Sequence, residues 1–278
     1  MDNSDTNENN EQLTNSEPEE SHEELSHSDK MIGVFTEPGK TFDNMSKFPP
    51  RTKDWVLPLV ILLALVAIIQ IILMQNSEIA FQAKQKQLVK IQEQFDEAIK
   101  NGQMTQEQAD QQMDNIMEQM DQSMTPVRII IQTVSIFVVG FIIFLIIAAI
   151  HLMLSKLALK GEGTFASALV ANGLAAYIGM IHVIVAAVLS LAFSRLLNDV
   201  NVATLIQAEK LSVVGFILGK LDVFSIWAFI VIGIGLSKMF KAPSSTKYII
   251  MVFCVWIIID LLYYLLATVV PFLQFFIA

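Results

Sequence analysis

Two ionisable side chains stand inside long apolar stretches of this chain: His182 and Asp260. A charged group at the middle of a membrane helix costs about 2.5–3.5 kcal/mol, so each is a functional candidate by default. Counting from stretch starts at Leu174 and Tyr248, their depths differ by only about 6 Å at the helical rise per residue. A His–Asp pair at one depth could relay protons or hold a cation. The structural alternative is one interhelical hydrogen bond that ties the bundle together. That alternative is favoured, because one lone pair is a thin constellation for transport.

Other chemistry-bearing residues read as architecture. His151 lies near the end of its stretch, within reach of headgroups, and Asp222 opens the fourth stretch as a helix cap. Arg128 and Arg195 at stretch ends are expected to snorkel, and Trp55, Trp227 and Tyr248 to act as interfacial anchors. Met104, Met113, Met117, Met120 and Met124 could offer thioethers to a soft copper ion. No Cys or His accompanies them, and their spacing is that of an adaptable packing seam. Gly215-x-x-x-Gly219 and Gly233-x-Gly235 are small-residue spacings that admit close helix approach, the second also serving as a flexible point. Gly-x-Ser-x-Gly, His-Glu-x-x-His and Gly-x-x-x-x-Gly-Lys-Ser/Thr are all absent. Cys254 is the single cysteine, so no intrachain disulfide can form. No catalytic residue, cofactor or metal site is expected.

The elements that must position these residues follow from composition. Of 278 residues, 54% are hydrophobic and 16% charged, with a mean hydropathy of +0.54. Soluble domains carry about 25% charged residues, which argues against an ordinary soluble enzyme. The net charge of −9 is local: residues 1–30 hold ten acids and one Lys, and the remainder balances. No basic nucleic-acid-binding footprint exists. Residues 1–30 bury too little apolar surface to offset their ordering entropy and are expected to be a disordered acidic tail. They also lack the apolar core of a cleaved signal peptide.

Apolar stretches at 55–75, 127–154, 174–197, 222–240 and 248–275 each reach the roughly 20 residues needed to cross hydrocarbon. Backbone groups in lipid must be satisfied within their own segment, so the stretches predict helices. The expected fold class is all-α: a five-span transmembrane bundle. Lys40, Lys47, Arg51 and Lys53 precede the first span, and Gln75, Asn76, Ser77 and Glu78 follow it. The positive-inside rule therefore predicts a cytoplasmic N-terminus and an extracytoplasmic C-terminus. Lys156 and Lys160, then Lys238, Lys241 and Lys247, fall on the same cytoplasmic side. Lys210 and Lys220 are among the bases assigned to the outer side.

Between the first two spans, residues 76–126 carry nine acids and four lysines. Phe81, Leu88, Ile91, Phe95 and Ile99 mark one helical face, Asn101-Gly102 a break, and Thr105 with Gln108 a capping box. Ala109, Met113, Ile116, Met117, Met120 and Met124 mark a second face. The pattern predicts an extracytoplasmic antiparallel, coiled-coil-like hairpin, its first helix continuous with the first span. Residues 31–54 read as an interfacial amphipathic segment carrying Phe35, Phe42, Met45 and Phe48. Residues 201–220 read as an outer interfacial helix.

Leu221-Asp222-Val223-Phe224-Ser225-Ile226-Trp227, followed by Ile232-Gly233-Ile234-Gly235-Leu236-Ser237-Lys238, resembles the fourth-span signature of bacterial Yip-domain membrane proteins. Phe35-x-x-Pro38-x-x-x-Phe42 is similar to the segment before their first span. The resemblance covers most of 31–278 and makes Asp222, Phe224, Trp227, Gly233 and Gly235 its family-motif and packing residues. It implies five spans and a bacterial cytoplasmic membrane. The family's eukaryotic members bind Ypt/Rab GTPases and carry an Asp-Leu-Tyr-Gly-Pro motif that is missing here, so Rab binding does not carry over. The expected role is a non-enzymatic scaffold or adaptor in membrane organisation. Its expected partners are the lipid bilayer and membrane or envelope proteins met through the hairpin, with homo-oligomerisation left open. The alternative is a small ion- or proton-coupled transporter using His182 and Asp260.

Overall fold

The computed structural model describes residues 23–121, 125–209 and 212–270. Met124, Lys210, residues 1–22 of the expected tail and the far end of the fifth stretch (271–275) lie outside them. Every regular element among the described residues is a helix: α1 (His27–Thr36), α2 (Pro38–Met45), α3 (Lys53–Met74), α4 (Ser77–Lys100), α5 (Gln106–Asp121), α6 (Pro126–Leu157), α7 (Phe165–Ala192), α8 (Val202–Leu205), α9 (Val213–Gly219), α10 (Val223–Met239) and α11 (Thr246–Val269). Four of them, α3, α6, α7 and α11, are long and apolar enough to cross a membrane alone. Alone, α10 has 17 residues; with α9, from which it is bent by 59°, it makes a fifth candidate span. The protein is thus an all-helical, multi-span membrane protein, and its spans contact lipid.

Side-chain contacts give the directions. An added Cβ at Gly173 would meet Trp55, and one at Gly179 would meet Leu62, so α3 and α7 run parallel. Phe144 stacks on Trp55, and Gly140 faces Leu63, so α6 runs back against α3. Phe224 stacks on His182 while Gly235 faces Ala171, which sets α10 antiparallel to α7. Gly233 faces Ile249 and Phe229 meets Phe253 and Trp256, so α11 is antiparallel to α10. At Gly233 a Cβ would lie 2.6 Å from the Ile249 Cα, so only glycine allows this α10–α11 approach.

The dense core sits at one end, where α7 starts, α10 ends and α11 starts, and α1 and α2 are part of it. Val34 and Phe42 are fully buried, and the Phe42 ring occupies the space a side chain at 235 would need. Within residues 31–54 lie the end of α1 and all of α2, and α2 turns Phe42 and Met45 inward onto the bundle, which removes their apolar surface from water.

Four sequence expectations are corrected. The tail boundary at Lys30 falls inside α1, whose start is fixed by the Ser26 hydroxyl accepting from the Asp29 N–H (3.2 Å). The first span does not run into the hairpin: Asn76 caps a new helix, its side-chain oxygen accepting from Glu78 and Ile79 N–H at 3.1 Å. The third span starts at Phe165 rather than 174, opened by a Thr164–Ser167 capping box. Small buried residues (Ala168, Ala171, Asn172, Gly173) make its first turns look less apolar than they are. Residues 201–220 form two short helices, α8 and α9, and Gly215 approaches the Glu209 carbonyl of its own loop while Gly219 faces open space.

The hairpin forms from α4 and α5, turning at Gly102 with φ of 67°. Thr105 N–H donates to the Gln108 side chain (3.0 Å), and Gln108 N–H returns a bond to the Thr105 hydroxyl (3.3 Å). Ile91 and Ala109 are the buried seam residues; Phe81 and Met117 face outward instead of joining it.

Candidate functional site

Ionisable side chains gather in two places. The first is where α1 meets the starts of α3 and the flank of α7. Asp54 lies in the first turn of α3 and is 1% exposed; Lys30, on α1, is 2% exposed. The Lys30 ammonium donates to Asp54 Oδ2 at 2.7 Å and to Glu24 Oε1 at 3.0 Å. His27, one turn earlier on α1, meets Asp54 Oδ1 through Nδ1 (3.0 Å) and the Tyr177 hydroxyl through Nε2 (2.7 Å). Arg51 closes the set on Glu24. His27 and Lys30 sit three apart and therefore share one face of α1, which turns both onto a single carboxylate. The cluster fixes the N-terminal segment to two spans at once. An unpaired carboxylate there would carry a heavy desolvation penalty, which the two partners offset.

Nothing in the composition of residues 23–30 separates them from the acidic tail, so sequence reasoning missed this cluster. The available signal was the pair of bases His27 and Lys30 at helical spacing just after Ser26, the only such pair before residue 31.

The second place is the bend between α9 and α10. His182 and Asp260, expected as a possible pair, have different partners. His182 Nε2 lies 3.7 Å from Asp222 Oδ2 and accepts from the Val200 N–H at 3.3 Å, with its ring stacked on Phe224 at 5.5 Å. Asp222 is the N-cap of α10, accepting from Phe224 N–H at 3.0 Å and from the Ser225 hydroxyl. Asp260 pairs with Lys220, whose ammonium also lies over the Phe216 and Trp256 rings at 4.6 and 5.1 Å. The bend turns Lys220 toward α11 and Asp222 toward α7, so Asp260 meets an ammonium and His182 lies beside a capping carboxylate.

The remaining candidates are accounted for by packing. His151 is buried rather than at headgroups, its Nδ1 2.9 Å from the Asn172 side-chain oxygen. Arg195 reaches the Thr204 carbonyl at 3.4 Å, with its Nε buried and unpartnered. Tyr248 is 2% exposed, inside the core rather than at an interface. Its hydroxyl lies against Gly161, in a loop whose Gly163 lies flat on the Phe240 ring. Trp227 meets Phe35 of α1 edge-on at 5.7 Å. Among the described residues no three His, Cys, Asp or Glu side chains are grouped to hold a metal ion.

The fold and these contacts define a class: a multi-span helical membrane protein whose intramembrane polar groups are engaged with one another. The chain belongs to the Yip1 domain family, whose model matches residues 32–268. No curated protein and no solved structure matches it. Glu24, His27 and Lys30 precede the matched region, whereas Arg51, Asp54 and Tyr177 lie inside it.

Proposed function

We propose that this protein is a non-enzymatic scaffold or adaptor for membrane organisation, set in a bacterial cytoplasmic membrane with its N-terminus in the cytoplasm. The observation that carries the reading is that Asp260 pairs with Lys220 while His182 Nε2 accepts from the Val200 N–H beside the capping Asp222. Ionisable groups satisfied within the chain hold helices together; a substrate path needs groups that exchange partners. The α4–α5 hairpin supports the same reading, since it packs on itself and on α3 while Phe81 and Met117 stay exposed. In the proposed orientation it presents those side chains, on a strongly acidic surface, to envelope proteins.

Two measurements test this. Photocrosslinkers placed at Phe81 and Met117 in the full chain, in its native membrane, are expected to give discrete protein adducts. Adducts to lipid alone would remove the basis of the adaptor reading. In parallel, proteoliposomes should show no ion- or pH-driven flux. A flux abolished by Asp260→Asn would replace the adaptor reading with the transporter.

A further inference from the structure

At the densely packed end of the bundle, the loop after α6 and the loop after α10 are joined. The Glu162 N–H donates to the Phe240 carbonyl at 3.1 Å, and Gly161 lies against the Tyr248 hydroxyl. Four lysines stand on these loops or on the helix turns beside them. Lys156 is in the last turn of α6, Lys160 is next to Gly161, Lys241 is next to Phe240, and Lys247 is next to Tyr248 at the start of α11. All four are exposed, and none makes an ion pair or a side-chain hydrogen bond among the described residues. Four bases against Glu162, the one acid of the two loops, leave a formal charge of +3.

Both loops leave their helices in the same way. In each, the N–H after a left-handed residue bonds back to a carbonyl of the last helical turns: Gly161 to Ser155 at 2.9 Å and Ala242 to Ser237 at 2.8 Å. Glycine is the usual residue at such an end, because a side chain is disfavoured in the left-handed region. Here it is Lys160, with φ of 55°, in one loop and Lys241, with φ of 56°, in the other. Helix termination alone does not call for lysine, since glycine would serve at lower cost. The other non-glycine residues with positive φ among the described ones, Ser194 and Gln207, lie at the opposite end of the bundle and are uncharged.

The length of α6 sets the height of these lysines in the membrane. Arg128 near its start and Lys156 near its end are separated by about 42 Å at the helical rise per residue. A bilayer counted with its headgroup regions is about 40–45 Å thick. Lys156 therefore stands among the headgroups, and the joined loops hold Lys160, Lys241 and Lys247 at the same end. We propose that this pair of loops binds the headgroup of an anionic phospholipid. The ammonium groups of Lys160 and Lys241 donate to its phosphate oxygens, and Lys156 and Lys247 add positive charge from the flanking helix turns.

The test uses the purified full chain in detergent, with native mass spectrometry reading retained phosphatidylglycerol against phosphatidylcholine. Lys160→Gly combined with Lys241→Gly removes two cations and gives each left-handed position the residue it favours. The melting temperature should equal the parent's or exceed it, while phosphatidylglycerol retention falls roughly 25-fold, at about fivefold for each cation beside a phosphate. Glu162→Gln should raise retention about fivefold. Lys86→Ala, which removes an exposed cation from α4, should leave it unchanged, and phosphatidylcholine retention should change in none of these variants. Equal phosphatidylglycerol retention by the parent chain and the double variant overturns the proposal. An equal loss in Lys86→Ala overturns it too, by making the effect one of net charge. If the double variant melts below the parent, Glu162→Gln decides, and no rise in its retention overturns the proposal. Phosphatidylglycerol retained above phosphatidylcholine only after residues 2–20 are removed assigns the lysines to that acidic segment and overturns it as well.

Discussion

Substituting Lys30 by Met isolates the contribution of the charge cluster, because Met keeps the length and the apolar stem of Lys. In the parent chain the ammonium bridges Asp54 and Glu24 with almost no water around it. After the change, Asp54 keeps His27 on Oδ1 but loses its partner on Oδ2, while remaining 1% exposed. Breaking one side of a buried pair costs about 3–5 kcal/mol. The cost falls on the docking of α1, since detaching α1 is what lets water reach Asp54. The opening equilibrium should therefore rise roughly 100- to 4,000-fold at 1.4 kcal/mol per decade. Hydrogen exchange on the amides of His27–Thr36, followed by mass spectrometry on the detergent-solubilised chain, reads this directly. Amides in the middle of α7 serve as the internal reference. Lys30→Met combined with Asp54→Asn should recover much of the loss, because two neutral groups no longer carry a desolvated charge. Unchanged exchange in Lys30→Met, or losses in the double variant that simply add, would refute the reasoning.

Gly233→Ala places a methyl against the Ile249 backbone and should cost about 1–3 kcal/mol in denaturant unfolding, whereas Gly219→Ala, facing open space, should cost nothing measurable. Asp222→Asn keeps a good capping side chain but drops the charge facing His182, so it should cost less than Asp222→Ala, which loses the cap at about 0.5–2 kcal/mol; the reverse order in unfolding titrations would mean the cap is not what holds α10. In a Cys254→Ala background, Gln103→Cys in the hairpin turn should react with a membrane-impermeant maleimide from outside intact cells and Lys40→Cys should not; the opposite pattern would invert the proposed orientation.

Spans were legible because a 20-residue apolar requirement leaves few alternatives, and the hairpin turn because Asn101-Gly102 and Thr105–Gln108 carry local backbone chemistry. Three features were hidden for physical reasons. The start of α7 is built from Ala, Asn and Gly, whose burial comes from close packing on α3 and not from their own hydropathy. The bend at Lys220–Leu221–Asp222 interrupts a stretch that is apolar on both sides, so hydropathy alone merges or splits it arbitrarily. The Lys30–Asp54 contact joins residues 24 apart, and the acidic surroundings of Lys30 make it look like one more solvated tail residue. His182 and Asp260 illustrate the same limit. Depth along a helix can be counted from sequence, but which way each side chain faces depends on where α9 bends into α10.

The two charge clusters both stand where the backbone leaves a regular helix, and that has a physical basis. Irregular backbone leaves donors without intrahelical partners, and carboxylates at helix starts satisfy them: Asp222 does so for α10, while Asp54 sits in the first turn of α3. A carboxylate placed in such surroundings then needs polar partners: the Ser225 hydroxyl and the neighbouring His182 ring stand by one, the Lys30 ammonium by the other. At the bend, the neighbouring Lys220 is drawn to Asp260 in turn. Straightening or swinging α9 relative to α10 would have to separate Lys220 from Asp260 and disturb Asp222 beside His182 in the same movement. Alternating access through this bend would break the Lys220–Asp260 pair and disturb the Asp222 cap on every cycle. A fixed bend meets no such demand, and this asymmetry is why the paired charges weigh toward a protein that holds its shape in the membrane for others to bind.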